Sequence, residues 1–103
     1  MELFDLNEME VNPYEKRDKN VFYKTKEFKS RIIELPAQGE MPKCQMDSYV
    51  MFYVLEGKGI VKVNGKSKEI KSGQCMITEP AELSLKSENG IKIMGIQINK
   101  TEK

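Results

Sequence analysis

Turn signals recur along most of this chain and leave only short segments between them. In "IVKVNGKSKEI" the pair Asn64-Gly65 separates two strand-like arms. A type I′ turn needs positive φ at both central residues, so this pair predicts a β-hairpin. A second pair, Asn89-Gly90, divides "ELSLKS" from "IKIMGIQI", and Gly73 and Pro80 bracket "QCMIT". "VFYKTK" and "SRIIEL" are apolar or β-branched segments, the second ended by Pro36 and Gly39. "YVMFYVLEG" is the most apolar run and stops at Gly57. Neither of its alternating sets, Val50-Phe52-Val54 or Met51-Tyr53-Leu55, is polar, so it reads as a strand buried on both faces. In the last segment the apolar phase slips from Ile91 and Ile93 to Ile96 and Ile98, and Gly95 at the slip predicts a β-bulge. Asp5 and Glu8 have capping-box spacing, but Asn12-Pro13 stops a longer helix. The expectation is an all-β sandwich or small barrel with at most one short N-terminal helical turn.

With 103 residues the chain has room for one domain and a modest core. Its 17 basic and 16 acidic side chains nearly cancel, so no global field draws nucleic acid or an anionic membrane. Seven of the basic residues fall between Lys16 and Arg31, but Asp18, Glu27 and several aromatics are mixed among them. They read as a solvated strand face, and no nucleic-acid partner is expected. No apolar run is long enough to span a bilayer, and the N-terminus lacks a signal-peptide pattern. No membrane partner is expected, and the expected location is cytoplasmic, with Cys44 and Cys75 as reduced thiols.

The chain contains no histidine. That removes imidazole acid–base catalysis, Ser-His-Asp and Cys-His nucleophiles, and every His-ligated metal centre. Two cysteines this far apart form no zinc motif either.

The glycine and proline framework resembles that of the cupin family, whose fold is a double-stranded β-helix or jelly-roll barrel. The family's first motif runs Gly, five residues, His-x-His, three or four residues, Glu, six residues, Gly. "YVLEGKG" is similar to its ending, with Gly57 as the closing glycine, and Gly39 and Pro42 match the turn before the histidines. "GQCMITEP", residues 73–80, is similar to the second motif, although Glu79 holds the proline position unless one residue is inserted. The resemblance implies one domain over residues 1–103, with an N-terminal arm at 1–27, a barrel core at about 28–98 and a frayed tail at 99–103.

It also implies that every metal ligand has been replaced. The His-x-His positions fall on Cys44 and Met46, the glutamate position on Val50, and the last histidine on Ser84, or on Leu85 with the insertion. Manganese, iron(II) and nickel prefer carboxylate and imidazole, so no family-type metal and no cofactor are expected. Three readings of the replacements stand side by side. Cysteine and methionine bury easily, and these residues could simply fill a core. Cys44 and Met46, two apart on a strand, share a face and suit copper(I), with Cys75, Met76 or Met51 to complete the set. A Cys44–Cys75 disulfide, or a reactive Cys44 beside Lys43, is the third.

The function expected is a metal-free barrel, homodimeric as the resemblance implies, that serves as a small-molecule binding or regulatory module. It takes a small apolar ligand without transforming it. Its interior would comprise Cys44, Met46, Val50, Phe52, Val54, Val61, Val63 and Ser84. One alternative is an interaction module with a packed barrel, acting as the homodimer that the resemblance implies, with the outer face of 49–55 covered across a two-fold axis. Another is a cofactor-independent isomerase or lyase working through Glu34, Glu56, Glu69, Glu82 or Tyr53. None of those has a partner identifiable by spacing, and no catalytic residue is assigned.

Overall fold

A computed structural model describes residues 1–100. Eight strands follow a 3-10 helix at Tyr14–Asn20: β1 Val21–Lys24, β2 Phe28–Leu35, β3 Gly39–Gln45, β4 Tyr49–Val63, β5 Lys66–Lys71, β6 Cys75–Thr78, β7 Glu82–Ser87 and β8 Ile91–Ile98. All pairings are antiparallel, in the order β1-β2-β8-β4-β7-β3, with β5 and β6 also on β4. The first half of β4 pairs with β8 and β6, and its second half with β5 and β7. One 15-residue strand thus belongs to both walls of the barrel.

Gly57 is what lets β4 continue where the sequence suggests an end. Its φ is +79°, and a Cβ there would overlap the Gly90 carbonyl oxygen. The strand also shifts register between Val54 and Glu56. A bulge and a left-handed residue together bend the strand from one wall into the other. Asn64 (φ 49°) and Gly65 (φ 85°) form the I′-type turn that their sequence predicts. Asn89 has no positive φ, so the second Asn-Gly pair makes a different turn, held by a hydrogen bond from Gly90 N to Ser87 Oγ at 2.8 Å.

The barrel core takes Ile33 and Leu35 from β2, Val50, Phe52, Val54 and Val61 from β4, Leu83 and Leu85 from β7, and Ile91 and Ile93 from β8. Each fully buried aliphatic side chain contributes about 1.5–3 kcal/mol relative to an exposed one.

Three sequence expectations need correction. β4 is not buried on both faces: Val50, Phe52 and Val54 enter the core, whereas Tyr49 and Tyr53 are 42 % and 38 % exposed. Gly95 carries no bulge, because β8 pairs with β2 without a break from Phe28↔Ile98 to Leu35↔Ile91. The phase slip arises because Ile96 and Ile98 face outward, onto the same outer surface as Met51 and Tyr49, their partners on β4. Lastly, the helical content is not one turn near Asp5. Glu8 N does donate to Asp5 O at 3.1 Å, but the 3-10 helix lies beyond Pro13 and kinks at Lys16. Pro13 precedes this helix rather than preventing one, as its fixed φ suits an N-terminal flank. Of the tail 99–103, residues 101–103 lie outside the described residues. Asn99 is tied down, its backbone N donating to Glu27 O and its Nδ2 to Lys26 O.

Candidate ligand site at the barrel mouth

A cavity of about 250 Å³ opens at one end of the barrel. Its walls come from β2 (Arg31, Ile33), β3 (Met41, Cys44), β4 (Val50, Phe52), β7 (Leu83) and β8 (Gly95, Ile96, Gln97), with Met46 from the β3–β4 turn and Tyr14, Arg17 and Asp18 from the 3-10 helix. Larger surface depressions of about 440 and 570 Å³ are lined mainly by turn and surface residues such as Gln38, Glu40, Glu88 and Asn89. Of these three, the mouth cavity is the one that reaches Val50 and Phe52 of the core.

Strand pairing explains why the cavity exists. Gly95 lies between Arg31 of β2 on one side and Phe52 of β4 on the other. Arg31 belongs to the inward set with Ile33 and Leu35, and Gln97 to the inward set with Ile93 and Gly95. Gly95 adds no side chain to this stretch of wall, where a Cβ would lie 3.5 Å from the Phe52 ring and 3.7 Å from Ile33. On β3 a bulge resets the phase: Met41 pairs with Leu85 but Cys44 with Leu83, three residues matched against two. Met41 and Cys44, of opposite parity in sequence, therefore both line the cavity.

The 3-10 helix is held at the rim by an Asn12–Asn20 clip. Asn20 Oδ1 accepts from Asn12 N at 2.8 Å, and Asn20 Nδ2 donates to Asn12 O at 2.9 Å. Arg17 stacks over the Tyr14 ring at 4.5 Å. Burial raises the Tyr14 pKa, an effect opposed by the nearby Arg17. Arg31 is pushed below its ordinary value, chiefly by burial, with Asp18 opposing, but a guanidinium remains protonated at neutral pH.

Among the sequence-predicted interior residues, Cys44, Met46, Val50 and Phe52 line the cavity. Val54 and Val61 are sealed in the core, and Val63 is partly buried against it. Ser84 does not point inward: its neighbours Leu83 and Leu85 are each 1 % exposed and fill the core, so Ser84 lies on the opposite face of β7. Of the alternatives Ser84 and Leu85, the inward residue is Leu85, and the one reaching the cavity is Leu83.

Cys44 and Cys75 are free thiols. Cys75 pairs with Tyr53 and shares its outward face, which removes the disulfide and takes Cys75 out of any inward sulfur set. Met51 also faces out, and Met76 packs against the core away from the mouth. Among the described residues no group of three or more His, Cys, Asp or Glu could hold a metal ion. None of Glu34, Glu56, Glu69, Glu82 and Tyr53 lines the cavity.

Sequence reasoning misses the apolar lining residues Ile33, Met41, Leu83 and Ile96, and with them the polar group of Tyr14, Arg17, Asp18, Arg31 and Gln97. Arg31 sits inside a basic stretch that reads as a solvated face, yet its side chain is only 11 % exposed. Its i, i+2 relation to Ile33 and Leu35 is the available signal, obscured because Ile32 is apolar too.

No family profile matches the chain, and no curated protein does. Solved structures do match. The TT1209 protein of Thermus thermophilus superposes with a TM-score of 0.84 at 17 % identity, covering 98 % of this chain and 100 % of that one. A Bacteroides fragilis cupin protein matches at 0.69 with 19 % identity, over 77 % of this chain and 71 % of that one. The Cnp3 cupin domain of Schizosaccharomyces pombe matches at 0.70 with 21 % identity, over 78 % and 61 % of the two chains. The chain has the cupin fold. At these identities the likeness concerns the cupin barrel and its topology, not its chemistry. Among the described residues, no helix is long and apolar enough to cross a membrane.

Proposed function

We propose that this cupin-fold protein is a non-catalytic binding module that takes a small organic molecule into the mouth of its barrel. The observation that carries this reading is the cavity itself, open at Cys44 and Arg17 and floored by Val50 and Phe52. A barrel packed shut would offer no such space. The enzyme alternative lacks support in the same residues. The cavity's one carboxylate, Asp18, is 96 % exposed, and its phenol, Tyr14, is shifted away from neutrality. Neither suits a general acid or base near neutral pH.

The reading includes the absence of a family-type metal. Cys44, Met46, Val50 and Leu83 offer a thiol, a thioether and hydrocarbon, which hold manganese, iron(II) or nickel poorly. Native mass spectrometry of protein purified without chelators tests both parts. A bound organic mass without stoichiometric metal supports the proposal. One equivalent of a transition metal, lost on mutating Cys44 or Met46, overturns it.

A second reading, homodimerisation, is favoured by the outer face of the sheet. Tyr49, Tyr53, Ile77 and Ile98 are each 38 % exposed or more on neighbouring strands β4, β6 and β8. Met51, Met94 and Ile96 lie among them in register. A contiguous apolar surface of this kind marks an interface, and a sheet face can pair with a second copy of itself across a two-fold axis.

A further inference from the structure

The mouth cavity is apolar below and cationic above. Ile33, Val50, Phe52 and Leu83 form its lower part, and its charged groups are Arg31, Arg17 and Asp18. Two guanidinium groups face one carboxylate, so the mouth carries excess positive charge.

Arg31 is the better placed of the two. Its side chain is 11 % exposed, yet its partners are distant. Nη2 donates to Gln97 Oε1 at 3.4 Å, and Nη1 lies 3.9 Å from Asp18 Oδ1. Charge-assisted bonds usually close to roughly 2.7–2.9 Å. A guanidinium has five N–H donors in a planar fork. Among the described residues no buried side-chain nitrogen lacks a partner, so the Arg31 donors left free are those that reach solvent at the mouth, where an incoming acceptor can meet them. Asp18 satisfies the guanidinium weakly, because an ion pair to a carboxylate that is 96 % exposed is screened by water. Arg17, by contrast, is already engaged, stacked on Tyr14 and donating from Nη1 to Tyr14 O at 3.3 Å.

We infer that the ligand is a small carboxylate with a compact apolar body. Its carboxylate meets the Arg31 fork, displacing or sharing Asp18, and its body rests on Phe52 and Val50 in the space above Gly95. Size narrows the class. A cavity of about 150 Å³ accepts benzene, whereas pockets for drug-sized ligands begin near roughly 300 Å³. At about 250 Å³, this one suits a single ring or a short branched chain bearing the acid. A phosphate ester fits less well, since one available fork above a hydrocarbon floor matches a planar monoanion.

This inference rests on the reading of the barrel mouth as a ligand site, and the test separates the two. Sodium benzoate, benzyl alcohol and inorganic phosphate are titrated by ligand-observed NMR into the wild type, Arg31→Gln and Arg31→Lys. Benzoate is expected to bind the wild type at least tenfold more tightly than benzyl alcohol. Arg31→Gln should erase that preference by weakening benzoate alone, and Arg31→Lys, which keeps charge without the fork, should recover part of it. Phosphate should fail to displace benzoate. Equal binding of benzoate and benzyl alcohol by the wild type overturns the carboxylate inference and leaves the binding reading standing, as does phosphate competing at equal concentration. Absence of binding by either aromatic probe overturns both. Should Arg31→Gln not fold, the comparison of the two aromatic probes on the wild type and on Arg31→Lys decides between the same outcomes.

Discussion

Gly95 and the ring of Phe52 face each other across neighbouring strands, and a Cβ at Gly95 would sit 3.5 Å from Phe52 Cε1. That is ordinary van der Waals contact, so an alanine fits without strain. Gly95→Ala should therefore leave stability unchanged or raise it by up to about 1 kcal/mol, through reduced freedom of the unfolded chain. The added methyl occupies the cavity, and benzoate binding should fall at least tenfold. Thermal unfolding and the NMR titration check the two halves separately. Wild-type binding by Gly95→Ala would place the ligand elsewhere.

Gly57 and Gly65 both have positive φ, yet they should respond differently to alanine. At Gly65 nothing lies within 4 Å of the added Cβ, so the cost is backbone strain alone, about 1–2 kcal/mol. At Gly57 the Cβ also runs into the Gly90 carbonyl, which belongs to backbone and cannot swing aside. Gly57→Ala should cost on the order of 3 kcal/mol or more. Urea denaturation of both variants measures the gap. Equal losses would contradict the close approach of β4 to the β7–β8 turn.

The register of β7 has an equally direct consequence. Leu85 is 1 % exposed and packs in the core, so Leu85→Ala should cost about 2–5 kcal/mol. Ser84 lies on the other face, and Ser84→Ala should stay within about 0.5 kcal/mol of the wild type. A reversed order in chemical denaturation would mean that β7 is slipped by one residue.

The outer face offers a fourth prediction. If two copies meet there, Tyr53→Lys places a cation in the middle of an apolar contact. Sedimentation velocity should show the wild type as a dimer and Tyr53→Lys shifted to monomer, with the β-sheet circular dichroism retained because Tyr53 is 38 % exposed in the single chain. A monomeric wild type at high concentration would remove the homodimer reading.

The sequence by itself determined the all-β class, the places where most strands stop and the hairpin at Asn64-Gly65, because turn chemistry is local. A residue that must adopt positive φ declares itself whatever surrounds it. The histidine-free composition likewise excluded imidazole-dependent metal and nucleophile chemistry, since no arrangement of the chain can supply a missing side chain. What faces inward was a different matter. Strand periodicity gives two alternating sets but not which one meets the core. Here both sets are apolar in β4, apolar residues occupy both faces of β8, and a phase change runs through β3. Only tertiary pairing decided that Leu83 and Leu85 point in while Ser84 does not, that a bulge brings Cys44 round to join Met41, and that Gly95 opens space rather than breaking a strand. It also decided the character of the site. Tyr14, Arg17 and Asp18 reach the mouth because a clip between Asn12 and Asn20 holds a short helix there. Arg31 meets them from a strand whose own sequence shows only a basic residue beside two isoleucines. Charge in a sequence reads as solvated by default. Only the fold can place it beside a cavity and largely out of water, as it does Arg31.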